Sequence, residues 1–290
     1  MDCIEDYAQY LRGLNQTGLA NCCQLDRIDI VMAIALSCAQ IHLWCAFYEK
    51  SADLSLLARY REILCPSERR QEMRFHFVND RVRYLVTRVL VRTVLSKYAS
   101  VSPQEWKFAP SSYGRPQILN RLNPEETLQF NVSHTRSLII LAVSRQRYLG
   151  VDTENTHTRR VSIGLADSYF AAAEVSALHA CPVERQHERF FEYWTLKESY
   201  IKARSMGLSI PLNEFSFAFE DDRVIRLKVE ASLGDFAERW HFWQFRIAND
   251  YLIAICAERR GVSPPSVTLR KIVPLVSVEP LEYEPWRASH

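Results

Sequence analysis

At 290 residues, with 36 Lys and Arg against 34 Asp and Glu and a net charge of +2, the chain is too near neutral to act as a polyelectrolyte partner of nucleic acid. Its apolar fraction of 48% and charged fraction of 24% are those of a globular protein with room for one large core or two ordinary ones. Eight cysteines without a CxxC pair or zinc-like spacing exclude a zinc module and read as reduced thiols of a cytoplasmic protein.

Asp2, Glu5 and Asp6 are wrong for a signal or transit peptide. The apolar run from Ile28 to Trp44 is broken by Asp29, Gln40 and His42, which argues against a membrane span. Asp2 to Leu14 reads as a short helix ended by Gly13, Asn15 and Gly18. Ile41–Phe47 is an aromatic-rich strand. Helices are expected over 51–64, from Pro66 to about Phe77, and from a cap at Asn79 or Asp80 to about Ala99. Arg69, Arg70, Arg74, Arg81, Arg83, Arg88 and Arg92 crowd this segment, either as a solvated helix face or as an anion site. Trp106–Phe108 reads as a strand and Tyr113–Pro116 as a turn. Leu128–His134 and Leu138–Val143 read as an antiparallel pair, and Tyr148–Glu154 as the next strand.

After it the order starts again. Helices are expected at 163–180 and 187–204, then strands at 215–219, 224–229, 240–247 and 251–257. This doubling predicts an α+β chain of two similar halves, 39–147 and 148–260, with an N-terminal extension over 1–38. The ligand site is expected in the cleft between the halves. Pro264, Pro265, Pro274, Pro280 and Pro285 suggest that 261–290 is a loosely packed tail.

The helix around Trp194 is apolar over most of its circumference, which marks it as buried. Yet Lys197, Glu198 and Lys202 lie in its middle, and buried charges need partners. On the strand Gly150–Glu154, Asp152 and Glu154 share one face while Val151 and Thr153 share the other. Two carboxylates so placed either end an edge strand in solvent or, with Glu198 as a third, form an all-oxygen set suited to Mg²⁺. Ser133 and His134 fall at a strand end, where they either cap the turn or hydrogen-bond a phosphate. No GxSxG elbow surrounds Ser133. Gly114 and Pro116 shape a turn from which Arg115 projects. No GxxxxGK[ST] or GxGxxG loop follows a strand, which disfavours nucleoside-triphosphatase and dinucleotide-binding readings.

In this order, the stretches Tyr113-Gly114-Arg115-Pro116, Phe130-Asn131-Val132-Ser133-His134, Gly150-Val151-Asp152-Thr153-Glu154, Trp194 to Ala203 and Gly207-Leu208-Ser209-Ile210-Pro211 resemble the Sfp-type 4′-phosphopantetheinyl transferase family. The resemblance implies a pseudo-dimer of two α+β halves with the active site at their interface. It implies transfer of the 4′-phosphopantetheine arm of coenzyme A to a serine of an acyl or peptidyl carrier protein, releasing adenosine 3′,5′-bisphosphate. The enzyme would be a cytoplasmic monomer.

By the same resemblance, Asp152, Glu154 and Glu198 would hold Mg²⁺, for which Mn²⁺ can substitute. Glu198 would be the base, directly or through a metal-bound water. Lys202 would stabilise developing charge, and Lys197 would contact phosphate. Ser133 and His134 would bind the coenzyme A phosphates, and Arg115 the region of the 3′-phosphate. Where some relatives have lysines for that phosphate, this chain has Glu68 and Gln71. Arg69, Arg70, Arg74 and Arg83 are available instead, with Arg70 and Arg74 spaced to form a fork. A carrier-facing rim is placed near Arg159, Arg160 and Phe170. The alternative is an inactive coenzyme A- or carrier-binding homologue, whose mark would be a missing carboxylate or lysine; none is missing.

Overall fold

The structure, a computed structural model, describes residues 34–48, 53–124, 127–157, 161–248, 250–261 and 263–289. The expected helix over 2–14, and Arg159 and Arg160, lie outside them. Among the described residues no helix is long and apolar enough to cross a membrane.

Two sheets face each other, each backed by helices. In the first, the strands are β1 (Gln40–Phe47), β4 (Leu128–Thr135), β5 (Leu138–Arg145), β11 (Ser266–Val273) and β12 (Ser277–Pro280), in the order β12-β11-β1-β5-β4. Behind it lie α1 (Leu54–Ile63) and α3 (Val78–Leu95), and α2 (Pro66–Arg74) is fastened to them by the Arg61–Glu72 and Arg92–Glu68 pairs. The second sheet has β6 (Leu149–Asn155), β7 (Phe215–Glu220), β8 (Val224–Val229), β9 (Trp240–Ile247), β10 (Tyr251–Glu258) and β13 (Glu284–Ala288), in the order β6-β10-β9-β13-β8-β7. It is backed by α4 (Gly164–Tyr169), α5 (Ala172–His179) and α6 (Val183–Arg204). A small hairpin, β2 (Phe108–Pro110) with β3 (Pro116–Ile118), carries the turn around Gly114.

The two-residue period of a strand explains the layering. On β5, Ile139, Leu141 and Val143 pack toward the helices, while Leu138, Ile140 and Ala142 pack toward the other sheet. On β10, Leu252, Ala254 and Cys256 meet the helices, and Ile253, Ile255 and Ala257 meet the first sheet. Both faces are buried, so these strands read as continuous apolar runs rather than alternating ones.

Several expectations are corrected. Trp106 is not in a strand; it follows a 3₁₀ turn at Pro103–Glu105, and the strand begins at Phe108. Helix α3 starts at Val78 with Phe77 at the N-cap, and Asp80 lies in its first turn, where it pairs with Arg83 at 2.8 Å. The helix expected over 163–180 is two, because the chain is extended at Phe170 and Ala171 and restarts where Glu174 Oε2 accepts the Ala171 N–H at 3.1 Å. Helix α6 begins at Val183, four residues earlier than its apolar pattern.

The expected loose tail is also wrong. Strand β11 runs parallel to β1, and β13 inserts between β9 and β8. The prolines mark boundaries rather than disorder: Pro264 and Pro265 precede β11, Pro274 follows it, Pro280 closes β12, and Pro285 sits at a bulge of β13. Leu269 and Ile272 of β11 are buried, as is Arg287 of β13, which pairs with Glu192 of α6 at 2.9 Å.

Candidate active site

The site forms where two sheet edges meet under one helix. β4 ends the first sheet and β6 ends the second. No backbone ladder joins them; alternate side chains of β4 do so instead. Asn131 Oδ1 accepts the Val151 N–H (2.9 Å), Ser133 Oγ donates to Asp152 Oδ1 (2.8 Å), and Thr135 Oγ1 accepts the Asn155 N–H (3.3 Å). The other face of β6 backbone is pressed against α6. A Cβ on Gly150 would collide with the backbone of Ser199 and Ala203 and come within 2.9 Å of the Lys202 carbonyl carbon. Only glycine allows this approach.

That approach sets the reach of Lys202. Its ammonium donates to Asp152 Oδ1 (2.7 Å), Ser133 Oγ (3.0 Å) and the Val151 carbonyl (3.1 Å). One lysine thus bridges helix α6, strand β6 and, through Ser133, the opposite half. Asp152 and Glu154 are each 6% exposed, so they do not end an edge strand in solvent. Lys202 also borders a cavity of about 310 Å³, lined by Tyr113, Arg115, Asn131, Glu198 and Gly207 among others.

Arg115 closes the same region from the hairpin. Its Nη1 donates to the Lys202 carbonyl (2.8 Å) and Ser205 Oγ (2.6 Å), and its Nη2 to the Phe130 carbonyl (2.8 Å). Burial pushes its guanidinium down to about 10. His134 follows Ser133 on β4. Desolvation of its ring, then Arg83 and Lys202, hold its pKa below the usual value, against the opposing pull of Asp152 and Asp80.

Comparison with known proteins agrees with this layout. Residues 148–256 match the model of the 4′-phosphopantetheinyl transferase superfamily, and residues 52–146 match a model described as 4′-phosphopantetheinyl transferase, N-terminal. The 4′-phosphopantetheinyl transferase Sfp of Bacillus subtilis (strain 168) is 30% identical over 199 residues, covering 69% of this chain and 84% of Sfp. The chain belongs to the 4′-phosphopantetheinyl transferase superfamily. The 4′-phosphopantetheinyl transferase HetI of Nostoc sp. is 32% identical over 190 residues, 65% of this chain and 78% of its own. A phosphopantetheinyl transferase of Thraustochytrium sp. is 29% identical over 229 residues, 74% and 78% respectively. The two facing sheets with their helices are this transferase fold.

Within that family frame, the expected site residues divide. Asp152, Ser133 and Lys202 meet directly, and Glu198 and Arg115 line the adjoining cavity. Lys197 does not belong with them. It is fully buried on another side of α6, paired with Glu174 Oε2 at 2.7 Å, and donates to the Leu212 and Phe215 carbonyls at 2.7 Å each. All three ammonium protons are used, so the expected phosphate contact is corrected to a structural role. Consecutive helix residues point about 100° apart, and that rotation carries Lys197 away from the face of Glu198.

The arginine run also divides. Glu68, buried, pairs with Arg88 and with Arg92 (2.9 Å); Arg69 donates to the Leu64 carbonyl (3.1 Å) and Arg81 to the Phe75 carbonyl (2.8 Å). Arg70 and Arg74 remain on the exposed face of α2.

Among the described residues no three Asp, Glu, His or Cys side chains converge as a ready metal cage. The donor set nonetheless fits a hard cation in one respect: Asp152 Oδ2 is buried and has no hydrogen-bond partner. Its neighbour Glu154 is a second carboxylate on the same strand face, where Oε2 accepts from Thr135 Oγ1 at 3.4 Å.

Neither the fastening of β6 to β4 by Asn131 nor that of Lys197 by Glu174 shows in the sequence pattern. A lone Gly inside a strand pattern was the legible sign of the close approach at Gly150.

Proposed function

We propose that the chain transfers the 4′-phosphopantetheine arm of coenzyme A to a serine of an acyl or peptidyl carrier protein. The observation that carries this reading is the Asp152–Lys202–Ser133 cluster, built from both halves, whose Lys202 borders a cavity. In the reaction the serine oxygen bonds to the phosphorus that bears pantetheine. The pyrophosphate linkage breaks, and adenosine 3′,5′-bisphosphate leaves.

Asp152, Glu154 and Glu198 would hold Mg²⁺, or Mn²⁺ in its place; the orphaned Asp152 Oδ2 supports this. Such an ion neutralises pyrophosphate charge when bound. Lys202 supplies positive charge at the phosphates. Glu198, which lines the cavity, would take the serine proton, directly or through a metal-bound water. Ser133 and His134 border the phosphate path, and Arg70, Arg74 and Arg83 are the candidates for the 3′-phosphate. Free thiols at Cys38, Cys45, Cys65, Cys181 and Cys256 support a cytoplasmic setting, where we take the protein to act as a monomer.

The test is incubation with coenzyme A, Mg²⁺ and a panel of apo carrier proteins, read by intact mass. Wild type should add phosphopantetheine to at least one carrier. Asp152→Ala and Glu198→Ala should each lose the adduct, and Lys202→Ala should form it at least a hundredfold more slowly with a measurable residual rate, all three keeping the wild-type circular dichroism spectrum. Full activity in Glu198→Ala would refute its assigned role. Coenzyme A binding without any adduct would mark an inactive homologue instead.

A further inference from the structure

Helix α6 ends at Arg204, and Ser205 follows in the left-handed region with φ of 59°. That conformation is usually taken by glycine, because a Cβ disfavours it. The last carbonyls of a helix also lack partners within it. The Lys202 carbonyl accepts the Ser205 N–H at 3.2 Å, and a second, charged donor reaches both residues from outside the helix. Arg115 bonds the Lys202 carbonyl and the Ser205 hydroxyl with one nitrogen and the Phe130 carbonyl of β4 with the other.

The arginine is aimed by its own turn. Ser111 N–H donates to the Arg115 carbonyl (2.7 Å), Gly114 N–H to the Ser111 carbonyl (2.9 Å), and Arg115 N–H to Ser111 Oγ (3.1 Å). Gly114 has φ of 83°, which closes the turn. The turn stands on the β2–β3 hairpin, and Phe108 at the hairpin base packs on Phe130 and lies under the guanidinium groups of Arg88 and Arg92. The mount is therefore the first half, and the object held is the end of a second-half helix.

We propose that Arg115 is a positioning residue rather than a phosphate ligand: it caps α6 across the two halves and so fixes the reach of Lys202 to Asp152 and Ser133. A cation near a helix C-terminus is favourable in itself, and a planar fork spreads its donors over separate nitrogens, so one can hold the helix end while the other holds the Phe130 carbonyl, a span that the single nitrogen of an ammonium lacks. The inference rests on the reading of Lys202 given under the proposed function.

The experiment compares wild type with Arg115→Lys, Arg115→Ala, Ser205→Ala, Lys202→Ala and Arg115→Ala/Lys202→Ala. Steady-state kinetics are run with coenzyme A and with 3′-dephospho-coenzyme A, on a carrier that wild type modifies. Arg115→Ala should lower kcat at least tenfold and leave the ratio of the two KM values within twofold of wild type. Arg115→Lys should lose kcat in the same way, and Ser205→Ala should show a smaller loss of kcat.

In the Lys202→Ala background, adding Arg115→Ala should cost less than threefold more, since two residues acting through one side chain do not multiply. A collapsed KM ratio in Arg115→Ala, wild-type kcat in Arg115→Lys, or fully multiplicative losses in the double variant would overturn the inference. Ser205→Ala and Arg115→Lys keep it open to refutation should Arg115→Ala fail to fold. Wild-type turnover in Lys202→Ala would instead bring down the reading of Lys202 itself, a separate failure.

Discussion

Gly150 contributes no side-chain chemistry, yet the site depends on it. The backbone of β6 can lie against Ser199, Lys202 and Ala203 only because position 150 has no Cβ. Gly150→Ala must push strand and helix apart, and the partners it meets are backbone atoms that cannot rotate away. Overpacking of this kind costs about 1–3 kcal/mol or more, which is roughly 2–4 °C of melting temperature per kcal/mol in a domain of this class. The variant should melt several degrees below wild type and lose carrier modification, because Lys202 is carried out of reach of Asp152. Gly164→Ala is the control: its Cβ would meet nothing nearer than 3.5 Å, and its melting temperature should be nearly unchanged. An unshifted melting curve in Gly150→Ala would contradict the close approach. The Asp152 and Glu154 face was legible from strand alternation alone. The role of Lys197 was not, because its partner Glu174 lies far away in sequence and no spacing rule pairs them.

At the scale of elements, α6 is the meeting point of the second half, and buried charges fasten it. Glu174 of α5 has three jobs: it caps its own helix, accepts the Phe217 N–H of β7 at 2.8 Å and pairs with Lys197. Burial pushes the Glu174 carboxyl above its ordinary value of 4.5, against the pull of Lys197, and pushes Lys197 down to about 8. Lys197→Met removes the countercharge and leaves the carboxylate buried, a change that typically costs about 3–5 kcal/mol. The loss should depend on pH. A carboxyl whose folded pKa is raised contributes stability below 4.5 that disappears as pH rises through the folded value. Without Lys197 that folded value rises further, so Lys197→Met should be closest to wild type in acid and furthest from it at neutral pH and above. Urea unfolding across that range measures it, and Glu174→Gln/Lys197→Met should remove most of the dependence. A pH-independent loss would mean that Glu174 is not the group left behind. The halves and most strands could be read from apolar patterning. The break between α4 and α5 could not, since it is set by Glu174 reaching back to Ala171 rather than by a glycine or proline.

At the scale of the molecule, the two halves are held together by more than their facing sheets. The C-terminal chain returns to both: β11 lies beside β1 in the first sheet, and β13 fills a gap between β9 and β8 in the second. Composition alone misread this segment, because its prolines fall at strand ends and a bulge, and its pairing partners lie more than two hundred residues away for β11 and roughly forty to sixty for β13. Removing it would open both sheets at once. β1 would lose its parallel neighbour, β8 and β9 would become adjacent unpaired edges, and the buried Glu192 would lose Arg287, one of its partners along with Arg189. Exposed apolar edges of this kind promote association between chains. A chain ending at Gly261 should therefore lose cooperative unfolding and elute as aggregate in size-exclusion chromatography. A second truncation, ending at Pro280, keeps β11 and β12 and deletes β13. It should retain the first sheet and lose the second, seen as hydrogen-exchange protection that persists in β1 and β5 but falls in β8 and β9. Equal loss in both sheets would show that they unfold as one unit, so that the β4–β6 stitching by Asn131, Ser133 and Thr135 couples them as tightly as a shared ladder would. Full protection in β8 and β9 would show that β13 is dispensable to the half that carries Lys202.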